Sequence, residues 1–413
     1  MRFLKITLLA VGIMILLKFT GSLLNRFSPF STFFHANLIT GLQLFTFGWL
    51  ILTLLLAMIM PKRPKVGRIA FISLVVLVAV LEILFMFWLK NPARVPGSMQ
   101  SSYKQYYIQN QRNVVQVIRS CSEFDQEFFY RLRPNNTCTF SNVEFSNEIR
   151  TNSIGQRDDD ASLAKPDIIC LGDSYTMGWG VGQDEAFAAR IEKNTGLKVL
   201  NAGMSSFGTV RELRKLAKLD TSNAKWIVLQ YCDNDIEENR PYIENKFQLQ
   251  TSSAGTYDTL VKRTEWNRVY YPGKTFFSVS LFKAKEMIKG LRKKGNAEYV
   301  LQVGNGQQVT MPESARYFAE TLRSFAPLLK NRNLVILYAY EGGRKDTVFV
   351  PALQQLMATA PYREALPGPI HYINTSTILD QADTFILDDH YNAKGHEKIG
   401  RAISNIIKST QIQ

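Results

Sequence analysis

Asp167-Ile168-Ile169-Cys170-Leu171-Gly172-Asp173-Ser174-Tyr175-Thr176 decides how the rest of the chain is read. A short apolar run ends in a glycine, and a serine follows at the point where open α/β sheets present their ligands. The alternation continues downstream. Apolar runs at 198–202, 226–231, 334–340 and 371–374 are separated by amphipathic stretches at 185–194, 210–219, 313–329, 350–358 and 397–408. Ile399, Ile403, Ile406 and Ile407 share one helical face in the last of these. Short strands alternating with helices predict an α/β domain with a parallel sheet covered on both faces, occupying 166–413.

Two stretches interrupt this regularity. An insertion at about 237–311 carries Tyr242, Tyr257, Trp266, Tyr270, Tyr271, Phe276 and Phe277. Insertions of this length either serve the site or pack as a surface subdomain. Ahead of the α/β pattern, 91–165 reads as a connector of largely extended structure, with a helix around 105–120.

The first ninety residues differ in kind. Runs at 4–24, 38–60 and 69–89 are each about twenty mostly apolar residues, the length that crosses hydrocarbon of about 30 Å. Three spans are expected rather than a cleaved leader, because the first run is long and two more follow. Lys62, Arg63, Lys65 and Arg68 crowd the second loop, which predicts a cytoplasmic N-terminus and places everything after Lys90 in the periplasm or on an equivalent external face. Glu82, deep in the third run, is expected to face another helix or find a partner.

Charge follows this partition. Of the net +14, a balance of +8 belongs to residues 1–90, leaving +6 for the other 323, so no nucleic-acid face is called for. Four cysteines show no metal-ligand spacing. Cys121 and Cys138, in a polar aromatic segment, are expected to pair in an oxidising compartment, whereas Cys170 and Cys232 lie in apolar runs and read as small core residues.

Four segments carry possible chemistry. Gly172-Asp173-Ser174 supplies a hydroxyl, although alone it is equally an ordinary turn. The small residues of 201–209, with Gly203 and Ser206, let the backbone turn and offer N–H donors to an oxyanion. Asn234 follows the most apolar run and can donate its amide there. Asp388-Asp389-His390 supplies a base beside carboxylates; His396, at the start of a helix, reads as structural.

In this order, these four segments resemble the sequence blocks of the SGNH (GDSL-like) hydrolase superfamily over about 155–410, and 152–158 is similar to an upstream motif of its envelope-associated members. The resemblance implies a three-layer α/β/α sandwich and a triad of Ser174, His390 and Asp388. It also implies oxyanion donors from Ser174, Ser206 or Gly203 and Asn234, with no cofactor or metal. Ser206 stands where the family often has glycine, and Leu387 stands where its DxxH spacing would put the acid, so Asp388 is preferred over Asp389 on likeness to DxHxN variants.

The expected activity is removal of acyl groups, acetyl foremost, from an acylated envelope glycan or lipid at the membrane. An O-acyltransferase served by a membrane acyl-transfer partner is the alternative, and a silent scaffold the third.

Overall fold

A computed structural model of the protein describes residues 64–292, 300–303, 307–339 and 347–411. The first two expected spans lie outside them. The third falls within one continuous helix, α1 (Pro64–Lys90). Taken over the described residues alone, no helix is long and apolar enough to cross a membrane. α1 nonetheless exposes Ile72, Val75, Val80, Ile83 and Phe87.

The connector holds α2 (Gly97–Asn110), then two antiparallel hairpins, β1 (Ser122–Asp125) with β2 (Phe129–Leu132) and β3 (Thr137–Ser141) with β4 (Ser146–Arg150). α2 starts directly after Pro96 and buries Tyr103, Tyr106 and Tyr107 at helical spacing. It therefore lies earlier than the helix expected at 105–120. At its end Gln111 and Arg112 N–H both still bond Tyr107 O, and Asn113 N–H leaves the helix for Asn142 Oδ1 at 2.6 Å. Cys121 and Cys138 form a disulfide, and Cys170 and Cys232 are buried free thiols, as the sequence predicts.

The α/β body follows: β5 (Ile168–Leu171), α3 (Ser174–Met177), α4 (Phe187–Thr195), β6 (Val199–Asn201), α5 (Thr209–Leu216), β7 (Trp226–Tyr231) and α6 (Ile236–Glu244). The rest of the insertion is α7 (Ala254–Asn267), α8 (Lys274–Arg292) and the hairpin β8 (Val300–Val303) with β9 (Gln307–Thr310). The body resumes with α9 (Met311–Ser324), α10 (Ala326–Leu329), β10 (Asn333–Tyr338), α11 (Phe349–Met357), α12 (Ala360–Ala365), β11 (Ile370–Asn374) and α13 (Ala393–Gln411).

Five of the strands make one parallel sheet in the order β11-β10-β7-β5-β6. Every residue of β5 and β7 is buried, the pattern of strands covered on both faces. Leu213, Phe318, Leu322 and Leu353 of α5, α9 and α11 fill one face, while Phe187 and Ile191 of α4 meet Ile399, Ile403 and Ile407 of α13 on the other. The result is an α/β/α arrangement. Chain order reverses across β5, with β6 on one side and β7 on the other, so the carboxyl end of β5 is the switch point where such sheets leave a crevice.

By internal packing the described residues fall into two compact units, 64–87 with Tyr270–Ser278, and Trp88–Val269 with the remainder. Within the first, Glu82 has the partner its burial demands. Its carboxylate accepts the N–H groups of Thr275 (3.2 Å) and Phe276 (2.8 Å) in the first turn of α8, where the helix dipole favours negative charge, and Phe85 meets Phe276 edge-on.

Candidate active site

Gly172 makes the turn that delivers Ser174. Its φ is +152°, and a Cβ there would come within 2.1 Å of Thr176 Oγ1 and 2.5 Å of Gln230 Oε1. Asp173 then caps α3 by accepting Tyr175 N–H at 3.0 Å, and Gln230 Oε1, near the carboxyl end of β7, accepts Asp173 N–H at 3.0 Å. Ser174 is thus fixed at the carboxyl end of β5 with its side chain mostly buried.

The loop before α13 brings the base to it. His390 Nε2 lies 2.7 Å from Ser174 Oγ, and His390 Nδ1 lies 2.5 Å from Asp388 Oδ1 and 3.2 Å from Asp389 Oδ1. Burial pulls the imidazole down, but Asp388 foremost and then Asp389 outweigh it and push it up to about 9. Burial also raises Asp389, yet His390 and Arg112 hold it well below the carboxylate range.

Several groups that fix this line were not anticipated. Tyr107 donates its hydroxyl to Asp388 Oδ2 at 2.7 Å, and Trp179 Nε1–H donates to the same oxygen at 3.2 Å. The Trp179 ring stacks on His390 at 4.5 Å and 13°. Glu144 accepts three successive N–H groups, those of Ile386, Leu387 and Asp388, which clamps the loop itself. Arg112 holds Asp389 at 2.7 Å. Only Trp179 left a readable signal, a large aromatic between two glycines just after the serine.

The segment 152–158 acts as a brace. Arg157, fully buried, donates to the carbonyls of Met177 (3.2 Å), Gly178 and Val181 (2.7 Å), and so holds the loop that carries Trp179. Asp158 accepts Asn201 N–H at 2.7 Å, tying this segment to the end of β6 as well.

The opposite wall holds the expected oxyanion residues. Gly203 gives its N–H to Asn201 Oδ1 at 3.1 Å and fits beneath α3, where a Cβ would strike Met177 N at 2.4 Å. Close packing thus explains that glycine, and its N–H is already committed. Ser206 is held at φ +58° with its carbonyl accepting from Arg211 Nη2 at 2.6 Å, and its N–H makes no hydrogen bond among the described residues. Asn234 is exposed, and its Oδ1 accepts from the Cys232 thiol at 2.8 Å. A cavity of about 450 Å³ adjoins Ser206 and Asn234, walled by Arg211, α6, Asn245 and residues 248–252. Trp266 and Tyr271, also in the aromatic insertion, do not line it.

His396 sits elsewhere. It is buried against Phe187, accepts Phe187 N–H on Nδ1 at 3.2 Å, and is pushed down to about 3 by burial, the behaviour of a neutral core histidine. Among the described residues, two groups have ligand atoms close enough to hold a cation: Asp388, Asp389 and His390, and Asp173, Cys232 and Asp235. In the second the one Cys232 S–H is shared between Asn234 Oδ1 and Asp173 Oδ2 (3.1 Å), and Asp235 Oδ2 accepts from Thr209 at 2.7 Å.

No family profile and no curated protein matches the sequence. Solved structures do. A lipolytic protein of the G-D-S-L family from Desulfitobacterium hafniense aligns over 58% of this chain and 98% of its own, with 11% identity and a TM-score of 0.27. A carbohydrate esterase family 2 enzyme with a carbohydrate-binding domain, from Corynascus thermopiles, aligns over 60% and 67%, with 12% identity and a TM-score of 0.30. These are likenesses only, and the functional reading rests on the geometry above.

Proposed function

We propose that the protein is a membrane-anchored serine esterase that removes acyl groups, acetyl foremost, from an envelope glycan or lipid. The observation that carries it is the buried line from Ser174 Oγ through His390 to Asp388 Oδ1, with steps of 2.7 and 2.5 Å. Ser174 Oγ attacks the ester carbonyl as His390 Nε2 takes its proton, and Asp388 orients the ring and stabilises the imidazolium. The N–H groups of Ser174 and Ser206 and the Asn234 amide are the donors for the tetrahedral oxyanion; removing one such donor typically costs about 3 kcal/mol of barrier. His390 then returns the proton to the leaving alcohol, and water releases the acyl group.

The anchor belongs to the proposal. The apolar side chains that α1 exposes suit lipid, and the cationic residues before and at its start suit a cytoplasmic end. The Cys121–Cys138 disulfide supports an external catalytic domain, since disulfides persist in oxidising compartments. Transfer of the acyl group to a sugar hydroxyl, with a membrane partner as donor, is the second reading. It is favoured by the cavity on the oxyanion side, which has room for an acceptor.

The test is an acyl-enzyme. Brief exposure to an activated acetyl ester should leave acetate on the peptide containing Ser174, and Ser174→Ala should neither acquire that adduct nor turn the ester over. Full turnover by Ser174→Ala would remove the reading.

A further inference from the structure

We propose that the cavity beside Ser206 and Asn234 binds the alcohol half of the ester, and that its ligand is a neutral, hydroxyl-rich sugar ring; this rests on the esterase reading above. Because the cavity shares both residues with the oxyanion wall, whatever fills it abuts the carbonyl that Ser174 attacks. Ser174 Oγ bonds to the acyl carbon as the bond to the sugar oxygen breaks, and that oxygen leaves toward the cavity with the proton from His390. In the transfer direction a sugar hydroxyl runs the same step backwards from the same place.

The lining selects among ligands. Asn245, Gln248, Gln250, Thr251 and Ser252 present neutral groups that both donate and accept, the complement of hydroxyls. Arg211 and Glu238 neutralise each other at 2.5 Å, which leaves Glu237 as the charge without an ion pair among the described residues. A phosphate or a uronate would meet that acid unopposed. A lipid tail is matched less well than a sugar, because such a ligand needs a mainly apolar wall and here Phe129, Phe207, Pro241, Tyr242 and Leu249 alternate with polar side chains. Phe129 and Tyr242 still offer apolar edges to the C–H faces of a ring.

Backbone conformation points to the same place. Seven non-glycine residues among those described have positive φ, and four belong to this wall: Phe129 (+72°) and Ser206 (+58°) line it, and Lys246 (+55°) and Phe247 (+64°) link Asn245 to Gln248. Such conformations are strained and persist where surrounding structure over-determines them, as at ligand clamps.

The experiment compares three acetyl esters on the full-length protein in detergent: an activated small ester, an acetylated neutral xylo-oligosaccharide and an acetylated polyuronate. The proposal expects kcat/KM for the neutral oligosaccharide to exceed that for the polyuronate at least tenfold. Asn245→Ala and Gln250→Ala should each lower the ratio of oligosaccharide to small-ester kcat/KM about tenfold, chiefly through KM, and Gln250→Trp, which fills the space, should lower it further. Trp266→Ala, outside the cavity, should leave the ratio where it was. Unchanged ratios in the cavity variants, or preference for the polyuronate, would overturn the proposal while small-ester turnover leaves the esterase reading standing. Failure of the wild-type protein to hydrolyse the small ester would instead strike the esterase reading, and the cavity assignment with it.

Discussion

On the His390 side of Ser174, the reacting groups are held by side chains from three separate parts of the chain. Tyr107 and Trp179 share one oxygen of Asp388, Glu144 clamps three backbone amides, and Arg112 holds Asp389. On the Ser206 side, the expected donors sit at a left-handed serine and an exposed asparagine, beside an open cavity walled by polar side chains. On the proposed esterase reading, the difference separates two jobs. Proton transfer requires fixed geometry and protection from water, whereas recognition of an alcohol requires room and exchangeable hydrogen bonds.

The largest effects should come from the fixed wall. Ser174→Ala and His390→Ala are each expected to lower turnover of an activated acetyl ester by about 10³-fold or more, with the circular dichroism spectrum unchanged. A loss of under tenfold in either would mean that the buried line is not the reaction path.

Next are the two carboxylates. Asp388→Asn should cost about 10³-fold, because it removes the acceptor for His390 Nδ1–H and leaves Tyr107 and Trp179 competing for an amide. Asp389→Asn, at the longer distance, should cost about tenfold. Steady-state kinetics on the pair would reverse the assignment if the order were inverted.

The pH profile sharpens the same point. His390 must be neutral to accept the serine proton, and the adjacent carboxylates push it up to about 9, so kcat/KM should climb with pH and level off above about 9. Asp389→Asn takes a negative charge away from the ring, lowers the folded-state pKa and should move this limb toward neutrality. A limb that Asp389→Asn leaves in place would show that some other group is titrating.

The smallest effect belongs to the adaptable wall. Ser206→Gly keeps the backbone N–H and relieves the left-handed strain, so thermal unfolding should indicate about 1 kcal/mol more stability, with a loss of about two- to threefold in kcat from a looser donor. Destabilisation would mean that the Ser206 hydroxyl, which accepts from Gln116 at 3.0 Å, matters more than its backbone.

Why the two walls were unequally legible in the sequence follows from the range of their contacts. The five sheet strands and the grouping of Ser174, Asp388 and His390 could be read because each lies where a local pattern ends: an apolar run, a glycine turn, a helix start. Tyr107 and Glu144 meet their partners across 281 and 244 residues, and nothing in their own neighbourhoods distinguishes them from other polar or aromatic residues of the connector. Expecting that connector to be mostly extended also placed its helix too late, since the N–H of Asn113 leaves for a distant partner. The cavity was hidden for a related reason. The insertion was noticed for its aromatic residues, but the part that walls the cavity is polar and strained, and Trp266 lies outside it.

Glu82 gives the molecule a timetable. Its carboxylate closes the start of α8, yet Thr275 lies 193 residues later in the chain. At a ribosomal pace of roughly 5–20 residues per second, that is a wait of about 10–40 s between the synthesis of the acceptor and that of its donors. During that interval Glu82 exists without the N–H donors it will finally hold, and a chain interrupted before residue 275 never supplies them. Completion of the N-terminal unit is therefore a late event in biogenesis, reporting that synthesis has passed well into the catalytic sequence.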